Sequence, residues 1–92
     1  MDEFFGVILV KKLNVGSKSE GFYSYLILDS MDKIFKLYRK DTYAVNDNFL
    51  MEFDRKNVRV FGEVQQETWL MVEKIEELIE NEELKIEKQS FV

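Results

Sequence analysis

The 92-residue chain has no cysteine and no histidine. It therefore offers no disulfide, no thiolate nucleophile, no imidazole base and no nitrogen or sulfur ligands for a metal. Proline is absent too, and no low-complexity linker or internal repeat divides the chain. Nor does any apolar run approach the roughly 18 residues that would span a bilayer. The run over residues 7–10 is too short for an export core, and Asp2 and Glu3 stand where a secretory signal needs positive charge. The sequence thus predicts no export and no membrane contact. A domain of this size without disulfides fits a reducing compartment, so the expected location is the cytoplasm.

What the chain does have is 46% hydrophobic, 14% aromatic and 34% charged residues, the composition of one folded domain and too apolar for a disordered one. Its net charge of -5 is unevenly spread. Residues 1–60 hold ten Lys and Arg against nine acids, whereas residues 61–92 hold three lysines against nine glutamates. Net acidity is therefore a poor guide to the surface of the first sixty residues.

Residues 4–15, rich in Val, Ile and Leu, predict a first strand that ends in the polar loop of residues 16–21. Lys11 and Lys12 interrupt its alternation, which suggests a bulge or bend there that would let one long strand serve two sheet faces. Residues 22–28 and 34–38 predict a hairpin turning at Asp29, Ser30, Met31 and Asp32. Phe49, Leu50 and Phe53 share one side of a short helix, an aromatic plug that Asp47 or Asn48 can cap. Residues 58–64 alternate as a fourth strand with Val58, Val60 and Val64 inward. A fifth runs from residue 68 to about 75, with Leu70 and Val72 inward and Trp69 and Met71 outward. The expected core is Phe35, Leu37, Phe49, Val58, Val60, Leu70 and Val72. Past residue 75 the composition favours helix, while Leu84 and Ile86 alternate with charges as a short strand would.

Three strands, a helical plug and two more strands follow the order of the oligonucleotide/oligosaccharide-binding (OB) barrel. The expectation is a mainly β, five-stranded OB-like Greek-key barrel over residues 1–79, with a short helix between strands 3 and 4 and an acidic, helical extension over residues 80–92. Val15, Gly16, Ser17, Lys18, Ser19 and Glu20, then Leu37, Tyr38 and Arg39, then Asp47, Asn48, Phe49 and Leu50, also come in an order that resembles small stand-alone bacterial OB-fold-like proteins of uncharacterised function. That resemblance implies the fold and carries no mechanism.

The candidate binding residues are Lys18, Tyr23, Tyr25, Lys36, Tyr38, Arg39 and Trp69. Tyr23 and Tyr25 share one face of the second strand, and Lys36, Tyr38 and Arg39 lie on or beside the third, an aromatic platform edged by cations. The same tyrosines could instead pack under the loops, and Trp69 could be covered or a contact residue. Residues 16–21 could hold an anion through backbone amides and Lys18, although they lack the phosphate-loop pattern. Asp29 with Asp32, and Asn46, Asp47 and Asn48, suit turns and a helix cap and lack calcium-loop spacing. No cofactor and no metal is expected, and no nucleophile sits beside a base, so the chain reads as a non-enzyme. A small barrel with variable loops suits a non-catalytic interaction module for a protein partner, the chain being a monomer or a weak homodimer. The alternative is single-stranded nucleic-acid binding on the face of strands 2 and 3, opposed by the acidic balance.

Overall fold

The apolar runs form strands in the computed structural model, which describes residues 1–79. They are β1 (Asp2–Leu13), β2 (Gly21–Leu28), β3 (Ile34–Arg39), β4 (Asn57–Gln65) and β5 (Trp69–Glu77), with a short helix α1 (Asn48–Met51) between β3 and β4. Hydrogen bonding links them in the order β1-β2-β3-β5-β4 and returns from β4 to β1, so the sheet forms a ring. Neighbours are antiparallel except β3 and β5, which run parallel. Among the described residues no helix is long and apolar enough to cross a membrane. The expected helical extension over residues 80–92 lies outside the described residues.

One long strand does serve two neighbours, but its handover lies at Gly6 and not at Lys11 and Lys12. Residues 2–7 of β1 pair with β4, and residues 6–13 pair with β2. A Cβ on Gly6 would lie 2.1 Å from the Ile27 carbonyl oxygen, so only glycine lets β2 come this close. Lys11 and Lys12 sit in regular register opposite Tyr23 and Phe22. Lys12 shares the parity of the buried Gly6 and Ile8 but lies beyond the end of the core, where its ammonium reaches Glu20 at 3.2 Å.

A second irregularity lies between β4 and β5. Phe61 opposes Lys74 while Gly62 opposes Val72, which leaves Glu73 as the extra residue. Strict alternation from Leu70 and Val72 would point Lys74 inward. The extra residue keeps Lys74 outside and turns Ile75 to the core, where it packs.

The inner face carries Ile8, Leu26, Phe35, Leu37, Val58, Val60, Leu70 and Val72, with Phe4 edge-on to Phe35 at 5.2 Å between centroids. Each fully buried aliphatic side chain contributes about 1.5–3 kcal/mol by leaving water. Val64, expected inward, is paired with the inward Leu70 but lies near the strand end and stays 40% exposed.

Leu50 of α1 is fully buried and completes this core. Asp47 caps the helix, its side chain accepting from the N–H groups of Phe49 and Leu50. Phe49 was expected to be buried as well, yet it is 46% exposed. Successive helical residues diverge by about 100°, so in a single turn Leu50 and Phe49 cannot both point into the ring. Phe53 packs partly against the core, and Phe49 lies edge-on to it at 5.8 Å.

Candidate binding face

Strand alternation sorts the side chains. With Ser24 and Leu26 buried, β2 turns Tyr23, Tyr25 and Ile27 outward; with Phe35 and Leu37 buried, β3 does the same with Ile34, Lys36 and Tyr38. On β5, Trp69 and Met71 face outward because Leu70 and Val72 face in. Register then aligns Leu9, Tyr25, Lys36, Trp69 and Gln65 in one row across all five strands. The Lys36 ammonium lies 5.4 Å from the Trp69 ring centroid, and the Tyr38 ring meets Trp69 edge-on at 5.8 Å and 81°. Partial burial pushes the Tyr25 hydroxyl pKa above its ordinary value, with neighbouring Tyr23 adding to the effect.

Two clefts flank Lys36 on this face. One, of about 360 Å³, is bounded by Tyr38, Tyr43, Thr42, Ala44, Gln65, Gln66 and Trp69. The other, of about 210 Å³, is lined by Leu9, Lys11, Tyr25, Ile27 and Ile34. Lys36, in the row between Tyr25 and Trp69, separates them. A third cleft, of about 550 Å³, opens further along β3 and β5 beside Arg39, Lys40, Glu63 and Met71.

Four of the seven candidate residues therefore come together: Tyr25, Lys36, Tyr38 and Trp69. Tyr23 shares the outward side of β2, but its hydroxyl donates to the Ser19 carbonyl at 2.7 Å and so anchors the loop of residues 14–20. Lys18 stands exposed in that loop. The Gly16 amide, which could have held an anion, donates to the Glu20 carboxylate at 2.9 Å. That hydrogen bond, helped by Lys12, holds the Glu20 acid below its ordinary 4.5.

Arg39 is engaged elsewhere. Its guanidinium forms a fork on Asp47, Nε to Oδ2 at 2.8 Å and Nη2 to Oδ1 at 2.9 Å, and lies 4.7 Å from the Phe49 ring centroid. This explains where Phe49 goes: it lies outside the ring, against the cation. The Asp47 hydrogen bond raises the Arg39 pKa further above its ordinary value.

Sequence reasoning missed Leu9, Lys11, Ile34, Tyr43, Gln65 and Gln66 as neighbours of this face. Ile34 was legible from alternation with Phe35 and Leu37. Tyr43, 85% exposed, sits in a stretch without period, so nothing local announced it.

The far side of the ring differs in kind. Arg59 pairs with Glu3 at 3.2 Å and Glu76 at 2.8 Å, Lys74 with Glu76 at 3.1 Å, and Lys56 with Glu77 at 3.4 Å. The Phe61 ring lies beside Arg59 and Lys74, at 5.2 and 5.5 Å. Arg59 first, then Lys74, holds the Glu76 acid below 4.5. By contrast, Lys11 and Lys36 enter no salt bridge among the described residues. The face is equipped to stack, to hydrogen-bond through phenol and amide groups, and to neutralise an anion. Compared with known protein families, with curated proteins and with solved structures, the chain finds no match.

Proposed function

We propose that the chain is a non-catalytic binding module on an OB-like Greek-key barrel, and that it engages a protein partner through the outer face of β2, β3 and β5. The barrel reading is supported by the strand order β1-β2-β3-β5-β4 and by a helix between β3 and β4. The binding reading rests on one observation, the division of the outer surface. Around β4 and the end of β5, cations are matched by carboxylates, whereas aromatic and aliphatic side chains of β1, β2, β3 and the start of β5 surround Lys11 and Lys36, which enter no salt bridge among the described residues. Tyrosine, tryptophan and methionine are the residues enriched at protein interfaces, and Tyr25, Tyr38, Trp69 and Met71 all lie here.

Single-stranded nucleic acid is the second reading, favoured by the row of Tyr25, Lys36 and Trp69, where bases could stack beside a cation. It ranks lower because residues 1–79 hold eleven Lys and Arg against fourteen acids, which weakens counterion release. An amide-resolved NMR titration with a mixed-sequence single strand at low salt separates the two. A protein-binding face leaves β2 and β3 unmoved. Salt-sensitive shifts confined to those strands overturn the proposal in favour of nucleic acid. In that case Tyr25→Ala and Tyr38→Ala each weaken binding by about 1–3 kcal/mol, and Lys36→Ala flattens the salt dependence by about one phosphate contact.

A further inference from the structure

The row that crosses the strands has a chemical order. Starting from β1 and β2 it presents an aliphatic and aromatic cleft at Leu9, Tyr25 and Ile34, then the Lys36 ammonium, then the cleft of Trp69, Tyr38 and Tyr43 edged by the Gln65 side chain. Each cleft suits a different apolar side chain, and the cation between them has no carboxylate of its own among the described residues. From β2 over β3 to β5 is two inter-strand steps, about 10 Å at the backbone and more across side chains that splay outward. An extended chain places every second side chain on one side and covers about 13 Å from residue i to i+4. The two spans are of similar size.

From this juxtaposition we infer that the partner docks an extended segment carrying an aliphatic residue, an acid and an aromatic residue at alternate positions, laid across β2, β3 and β5 with the acid on Lys36. The inference rests on the protein-binding reading above and narrows it to one class of segment. An acid, and not a neutral polar residue, belongs in the middle because an ammonium 5.4 Å from the indole centroid, with no carboxylate partner among the described residues, attracts negative charge most strongly. An aromatic residue belongs at the Trp69 end because that cleft offers ring edges and faces from three aromatic side chains. The aliphatic residue belongs at the other end, where Leu9, Ile27 and Ile34 dominate the lining.

Selection of displayed random nonapeptides on the full chain, with depletion on Trp69→Ala, tests this directly. Enriched peptides should share an acid flanked two residues away by an aliphatic residue on one side and an aromatic on the other. Binding of the best peptide is then followed by fluorescence of Trp69, the only tryptophan. Lys36→Gln should weaken the acidic peptide about fivefold at low salt and leave its Glu→Gln counterpart unchanged. A Lys36→Gln chain that melts like the parent separates this loss from unfolding. Enriched peptides that need Trp69 but carry no acid, or that ignore Lys36→Gln, overturn the motif and leave the interaction module standing. No Trp69-dependent enrichment overturns the peptide inference. If a single-stranded oligonucleotide also shifts β2 and β3, the protein-binding reading falls with it.

Discussion

Asp47 is the most consequential polar side chain in the fold, and its removal has a size that can be worked out. Its side chain is 2% exposed, caps α1 through the Phe49 and Leu50 N–H groups at 3.0 and 3.4 Å, and receives both arms of the Arg39 fork. Asp47→Ala loses a cap that usually contributes about 1 kcal/mol. It also loses charge-assisted hydrogen bonds that contribute about 1.5–3 kcal/mol in sheltered sites. Arg39 is 36% exposed and rehydrates, so the lower end applies. The expected loss is about 2–3 kcal/mol, or on the order of 10 to 20 °C in Tm for a domain of this size. Asp47→Asn retains a capping oxygen and should lose only about 1 kcal/mol. Arg39→Ala should cost at least as much as Asp47→Ala, because it strands a buried carboxylate whose remaining partners are backbone amides. Urea unfolding followed by Trp69 fluorescence, checked by far-ultraviolet circular dichroism, gives all three values. An Asp47→Ala protein with the parent's urea midpoint, or an Asn variant as damaged as the Ala variant, would refute the account of Asp47 as a combined cap and anchor.

Leu50→Ala should cost about 2–5 kcal/mol because Leu50 lies wholly inside, whereas Phe49→Ala should cost about 1 kcal/mol; thermal melts that reverse this order would place the wrong face of α1 in the ring. Gly62→Ala sets a Cβ 2.1 Å from the Met71 carbonyl oxygen, and since both sides are backbone the strands must part, with an expected loss of about 1–3 kcal/mol by calorimetry. An unchanged melt would mean that the strands do not approach this closely. Glu76 and Glu20 have lowered acid pKa values when folded, so between those values and the ordinary 4.5 the unfolded chain binds more protons. Their stabilisation is complete above about pH 4.5 and fades as pH falls through the folded values. Urea midpoints should therefore drop as pH falls below about 4.5, and less steeply in Glu76→Gln; equal slopes in parent and variant would deny Glu76 its part.

The strands were legible because β-branched and aromatic runs bounded by polar turns leave little choice, and six of the seven expected core residues lie inside, as alternation required. Phe49 was misplaced because a three-position pattern fits any helix long enough to repeat, and this one makes a single turn. Gly6 gave no signal, since its role is to admit the Ile27 carbonyl, and nothing local reveals what a distant strand will bring. The extra residue at Glu73 was equally silent. On the outer face, Tyr25, Lys36 and Tyr38 were found from one hairpin, a local unit. Setting Trp69 beside Lys36 requires the parallel pairing of β3 with β5, a contact made only after the chain has passed through α1 and β4. Arg39 looked like a free cation because its partner, eight residues on, looked like a simple helix cap.

The double role of Lys36 has a dynamic consequence. β3 meets β2 only through residues 34–36 and meets β5 only through residues 36–39, so Lys36 alone belongs to both ladders. Every other junction of the ring is longer. Local opening should therefore begin along β3, with its amide protons exchanging with deuterated solvent ahead of those in β1 and β4. A molecule that spans β2, β3 and β5 would clasp that seam from outside, and by mass action would slow the exchange of β3 in proportion to its occupancy. The strand that carries Lys36 is then also the one whose breathing would report such an occupant.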